Sequence, residues 1–345
     1  MREPLFIKKN IARWQEYDNF ETSDPDELSD RFLHIMDDLS YAQTFYPRSK
    51  THKYLNERAA SFYNEIYKRK RNKFSTIFYF WKYDLPLIIR KRHRYLLISL
   101  IFFLVFCLIG WFSVENNRAF LDVNLGSGYV EMTNSNIESG NPFEVYSRNE
   151  NEFLMFLQIF LNNIKVALLT FFSGLFASIG TLYLLFNNGL MLGSFQKLFF
   201  IHPGLGWQSV LVIWIHGVLE ISAIIIAGGA GILLGNSFLF PGTFTRLNAL
   251  KNAALDGAKI MMGIAPIIFF AAVLESYVTR LSSRNFSNTD YGEYAIPAAA
   301  SIVILLVSLT FVIWYFIVYP IRVENNFLKL QKQQTGNLVV FEKHQ

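Results

Sequence analysis

The run WQSVLVIWIHGVLEISAIIIAGGAGILLG, Trp207–Gly235, decides the architecture of this chain. About 20 apolar residues span a bilayer core. This stretch exceeds that length, and only His216 and Glu220 within it can carry a charge. Working outward, similar runs recur. Tyr95–Val114 has no charged residue, and Ile164–Phe186 has only Lys165, near its start. A run over 259–275, with apolar core Ile260–Leu274, contains Pro266 and ends at Glu275. The last, Ala295–Tyr319, closes at Pro320. Five such runs predict an all-α, polytopic helical membrane protein.

Composition agrees. The 345 residues are 52% hydrophobic, 17% aromatic and 17% charged, whereas soluble domains carry about a quarter charged residues. Disorder, collagen-like repeats and a purely soluble enzyme are excluded. Cys107 is the single cysteine, which excludes an intramolecular disulfide, a cysteine-built zinc site and an iron–sulfur cluster. Residues 1–25 lack the apolar core of a signal peptide.

Charge placement sets the expected orientation. Between Lys68 and Arg94 stand ten basic residues and one acid, Asp84. Because this stripe abuts the first apolar run, it reads as a topogenic and headgroup-contacting segment and not as a nucleic-acid surface. Arg90, Arg92 and Arg94 are its candidate lipid or partner contacts. The N-terminal region is therefore expected in the cytoplasm. The loop 115–152, with two arginines against seven acids, is expected outside. Five crossings would leave the basic segments Asn236–Lys259 and 321–345 outside as well. A short, glycine-containing crossing over 188–201 removes both conflicts and gives six crossings with cytoplasmic termini; five is the alternative.

Residues 1–94 read as a polar, helical cytoplasmic domain. Asp24, Pro25 and Glu27 form a helix-start signature, and Leu28, Phe32, Ile35, Met36 and Leu39 follow at helical spacing. A second helix fits Tyr54–Lys70, after a turn at Pro47 and Ser49. The aromatic segment 74–90 reads either as an interfacial helix on the inner leaflet or as a helix packed on the domain. Residues 321–345 form a cytoplasmic tail.

His216 and Glu220, four apart on one helix, share a face. Ionisable groups near the bilayer centre are costly and usually partnered. The pair reads as an ion, proton or metal site joined by Glu275, or as a His–Glu hydrogen bond that locks two helices. HGVLE lacks the second histidine of H-E-x-x-H, and no nucleophile elbow or phosphate loop occurs. Hence no catalytic residue, metal or cofactor is expected. Ala223, Ala227, Gly231 and Gly235 place small residues at every fourth position, a helix-packing stripe for this chain or for a homodimer. Arg246, after Pro241-Gly242, is a candidate contact for lipid phosphate or a carboxylate, or a plain positive-inside charge.

Several strings together resemble one family, the stage II sporulation protein M family of bacterial integral membrane proteins. They are Phe6-Ile7 with Trp14, DLSYAQTFYP (Asp38–Pro47), YLNERA (Tyr54–Ala59), DLP (Asp84–Pro86), His216–Gly235, Pro241-Gly242 with Arg246, and LESYVT (Leu274–Thr279). They cover residues 5 to about 280; the acidic loop 115–152 and the tail after Val323 carry no matching string. The resemblance implies an all-helical protein of the bacterial inner membrane. It also implies a non-enzymatic scaffold that anchors peptidoglycan-remodelling partners in the envelope. A transporter or channel using the His/Glu site is the competing expectation.

Overall fold

Without water in a bilayer core, backbone polar groups must be satisfied inside the chain, which helices do residue by residue. In the computed structural model, every regular element among the described residues (2–19, 24–67, 73–147, 151–287 and 296–329) is helical. The chain divides into two units, Met1–Ile77 and Phe78–Gln345.

The first unit holds three helices, α1 (Glu3–Asn19), α2 (Pro25–Phe45) and α3 (Lys50–Tyr67). Asp24 caps α2 by accepting the Asp26 N–H at 3.0 Å, with Pro25 at the first helical position. The core is Phe6, Trp14, Ile35, Ala42, Leu55, Ala59 and Phe62. Met36, expected on the apolar face, is exposed, since the buried stripe runs from Ile35 to Ala42. Buried Asp38 ties α2 to α1 by accepting from Trp14 Nε1 at 2.7 Å and Arg13 at 2.6 Å.

Helix α4 (Thr76–Asn116) is a single helix through the aromatic stretch and the first span, and from Phe78 on it belongs to the second unit. From Thr76 on, the aromatic segment is thus continuous with the first span and not a separate helix. Leu85, Ile88 and Ile89 lie in the core of the second unit, so the boundary falls at Ile77 and not at 94. Three short helices follow, α5 (Ala119–Leu125), α6 (Ser127–Glu138) and α7 (Glu144–Ser147), where a loop was expected. Then come α8 (Glu152–Leu175), α9 (Ile179–Ile201), α10 (Leu205–Leu239), α11 (Arg246–Phe286) and α12 (Ala298–Lys329).

These bounds correct two expected spans. The run 164–186 is not one helix, because the chain reverses at Ala177 and Ser178, both with positive φ (51° and 66°). Likewise 188–201 is no short broken crossing but the second half of the 23-residue α9. The segment Ser173–Gly180 is apolar enough to hide a turn from hydropathy, yet its small residues let the reversal sit close to α10. A side chain on Gly174 would run into the Gly231 backbone.

Among the described residues five helices, α4, α8, α10, α11 and α12, are long and apolar enough to cross a membrane. Helix α9 carries Asn187, Asn188, Gln196 and Lys197 and packs along α4, where a Cβ on Gly193 would strike the Cys107 carbonyl. The six run in alternation, and one face gathers the start of α4, the end of α12 and the start of α11. There Arg90 meets Glu324 at 2.6 Å, and Arg92 meets Asp256 at 2.7 Å. Arg90 and Arg92 thus pair with carboxylates of the same chain, while Arg94 and Arg246 are exposed. The guanidinium of Arg246 sits 5.9 Å from the Phe238 ring. At the opposite face Asn124 donates to Ser194 at 2.8 Å, and Lys197 pairs with Glu115.

Helix α10 is the hub. Of its most apolar stretch 61% is buried inside the chain, against 17% for α8 and α12, so it is apolar on every side and shows no amphipathic period. The small-residue stripe is spent inside the chain. Ala223 and Ala227 sit in the main core, and Gly231 and Gly235 face the α8–α9 reversal.

Candidate intramembrane polar site

Among the described residues three π-helical turns interrupt the long helices: Phe80–Asp84, Leu274–Thr279 and Trp314–Val318. Two of them end two residues before a proline, Pro86 and Pro320. A proline has no N–H and crowds the carbonyl one turn back, so a widened turn there has a local cause. Leu274–Thr279 has no such proline. It is the segment that carries Glu275 and Thr279 towards α10, and π turns often mark functional sites.

His216 lies about 17 Å and Glu220 about 23 Å along α10 from its start, by the rise of an α-helix. From α11, Thr279 Oγ1 meets His216 Nδ1 at 2.9 Å, and Glu275 Oε2 faces His216 Nε2 at 3.9 Å. From α8, Asn163 Nδ2 donates to Glu220 Oε1 at 2.5 Å. The ligand-type atoms of His216, Glu220 and Glu275 all lie within 4.8 Å of one another. Above them, the Tyr146 ring of α7 packs 5.8 Å from the imidazole. Phe143 anchors that helix against Phe199. Burial, with Glu275 next in effect, holds the Tyr146 phenol well above its ordinary range, so it caps the cluster as a neutral group.

The three expected residues are brought together, but not as a direct His216–Glu220 bond. Each finds its partner on another helix, and Glu275 joins them. Sharing a face brings two side chains level and aims both at neighbouring helices. Asn163, Thr279 and Tyr146 are site residues that the sequence reading passed over. Asn163 fell just outside the span expected to begin at Ile164, and Thr279 sat four residues after Glu275 in a string noted only for its resemblance. Among the described residues, no Lys or Arg pairs with Glu220 or Glu275.

Fold and site together define a polytopic α-helical membrane protein built round a buried polar cluster. The family profile described as stage II sporulation protein M matches residues 99–280, just over half of the 345 residues. The chain belongs to that family. The match runs through the acidic region 115–152, which carries none of the resembling strings. A second profile, Domain of unknown function (DUF8413), matches residues 4–68. It covers strings that the sequence reading had assigned to the first family. No curated protein and no solved structure matches the chain.

Proposed function

We propose that this chain is a non-enzymatic membrane anchor of the bacterial cell envelope, seated in the inner membrane with both termini cytoplasmic. The observation that carries the reading is family membership. The folded polar layers support it, because each offers a docking surface: the three-helix unit Met1–Ile77 and the α5–α7 layer. The partners in this reading are peptidoglycan-remodelling enzymes and membrane lipids. Crosslinking in native membranes followed by purification tests it; stable recovery of envelope hydrolases is the expected result. Recovery of the chain alone, with ion flux through liposomes that contain only this protein, rejects the anchor.

A second reading, a transporter or channel, is favoured by the convergence of His216, Glu220 and Glu275 inside the membrane helices. Polar clusters at membrane depth mark ion pathways as well as helix locks. Flux abolished by Glu220→Gln in normally folded protein supports this reading.

A further inference from the structure

We propose that His216, Glu220 and Glu275 together bind one divalent transition-metal cation of the zinc type. The inference concerns what occupies the cluster and is independent of whether the chain anchors partners or conducts an ion.

Geometry comes first. His216 Nε2 and Glu275 Oε2 face each other at 3.9 Å, too far apart for a hydrogen bond. Zinc–nitrogen and zinc–oxygen bonds of about 2.1 Å in a tetrahedron separate neighbouring ligand atoms by roughly 3.4 Å. The pair therefore needs to close by only about half an ångström to share an ion. Glu220, within 4.8 Å of both, completes three protein ligands and leaves a fourth position for water.

The surrounding hydrogen bonds have the form that metal ligands need. Thr279 Oγ1 lies 2.9 Å from Nδ1, where it can accept Nδ1–H and leave the Nε2 lone pair free for the cluster. Asn163 occupies Oε1 of Glu220 and turns the remaining oxygen inward. The π turn Leu274–Thr279 puts both Glu275 and Thr279 against one imidazole, and no proline accounts for it.

Charge supplies the independent argument. Two carboxylates whose oxygens lie within 4.8 Å repel when both are ionised, no Lys or Arg among the described residues pairs with either, and a cation between them would relieve that repulsion. A divalent cation with two carboxylates and a neutral imidazole sums to zero, the cheapest state at membrane depth. The imidazole nitrogen selects zinc, cobalt or nickel over magnesium and calcium, which favour all-oxygen shells.

The test uses the full chain in detergent, purified on a tag without histidine and stripped with a chelator. Zn2+ is titrated by calorimetry and Co2+ by visible absorption. One Zn2+ per chain is expected, with Co2+ bands of a four- or five-coordinate site and a rise in thermal midpoint on zinc addition. Glu275→Gln and His216→Gln should each lose affinity by at least tenfold, and Thr279→Val, which keeps every ligand, by about tenfold. Glu131→Gln, at an exposed acid on α6, should bind as the unaltered chain does. The wild-type titration requires no variant to fold. Absence of stoichiometric zinc uptake overturns the proposal, as does uptake that survives both ligand substitutions unchanged.

Discussion

Asn163 and Thr279 carry no charge, yet they fix how Glu220 and His216 are held. Replacing Asn163 with Ala removes the donor to Glu220 Oε1 and leaves a buried carboxylate oxygen unpaired, at a cost of about 1–2 kcal/mol. Glu220→Gln should cost less than about 1 kcal/mol, because an amide still accepts from Asn163 and gains a donor for Glu275. Thermal unfolding in detergent compares the two. A larger loss for Glu220→Gln than for Asn163→Ala would contradict this network. His216, Glu220 and Glu275 were legible in the sequence because charge in an apolar run draws notice. Their partners were not, since a neutral Asn or Thr is unremarkable until two helices are known to be neighbours. The same ignorance produced the expected His216–Glu220 bond.

Helix ends and interruptions carry a second set of expectations. In the π turn before Pro86 the Leu85 N–H reaches back to the Phe80 carbonyl. The return to α-helical pairing skips one carbonyl, and the proline removes one donor, so the carbonyls of Trp81 and Lys82 are both left over. Tyr315 donates to the first at 2.8 Å and Tyr319 to the second at 3.0 Å. Tyr315→Phe and Tyr319→Phe should therefore each destabilise by roughly 0.5–1.5 kcal/mol. Chemical unfolding of the purified variants checks this, and a double variant as stable as the parent would refute it. Glycines make a sharper contrast. Gly193→Ala should cost about 1–3 kcal/mol by overpacking the α4–α9 contact. Gly217→Ala on α10, where an added Cβ meets nothing within 4 Å, should be neutral or gain up to about 1 kcal/mol. Equal effects at the two positions would remove the close-packing account. The sequence revealed α10 and α12 through unbroken apolarity, but it concealed the α8–α9 reversal, whose turn residues are as apolar as the helices. The α5–α7 layer was hidden for the opposite reason, since its helices are short and its periodicity weak.

Six alternating helices put residues 241–244 and Lys329 on one face and the α5–α7 layer on the other. Reporter enzymes inserted at Thr243 and after Lys329 should give one compartment, the cytoplasm by the positive-inside bias. A reporter inserted at Gly140 should give the opposite compartment. A Thr243 reporter on the same side as Gly140 would mean that α9 does not cross. That helix has a history as well as a place. With Asn187, Asn188, Gln196 and Lys197 along its length, it is a poorer independent substrate for the translocon than the five more apolar helices. Its glycine face fits α4, which is synthesised earlier and is already in the bilayer when α9 emerges. The expected consequence for biogenesis is an order of dependence, with α4 serving as an insertion partner for α9. Substituting Leu at Gly189 and Gly193 should strand part of the nascent population with α9 uninserted, detectable as mixed sidedness of a glycosylation acceptor at Thr243 in microsomes. A single sidedness in that variant would show that α9 enters the bilayer unaided.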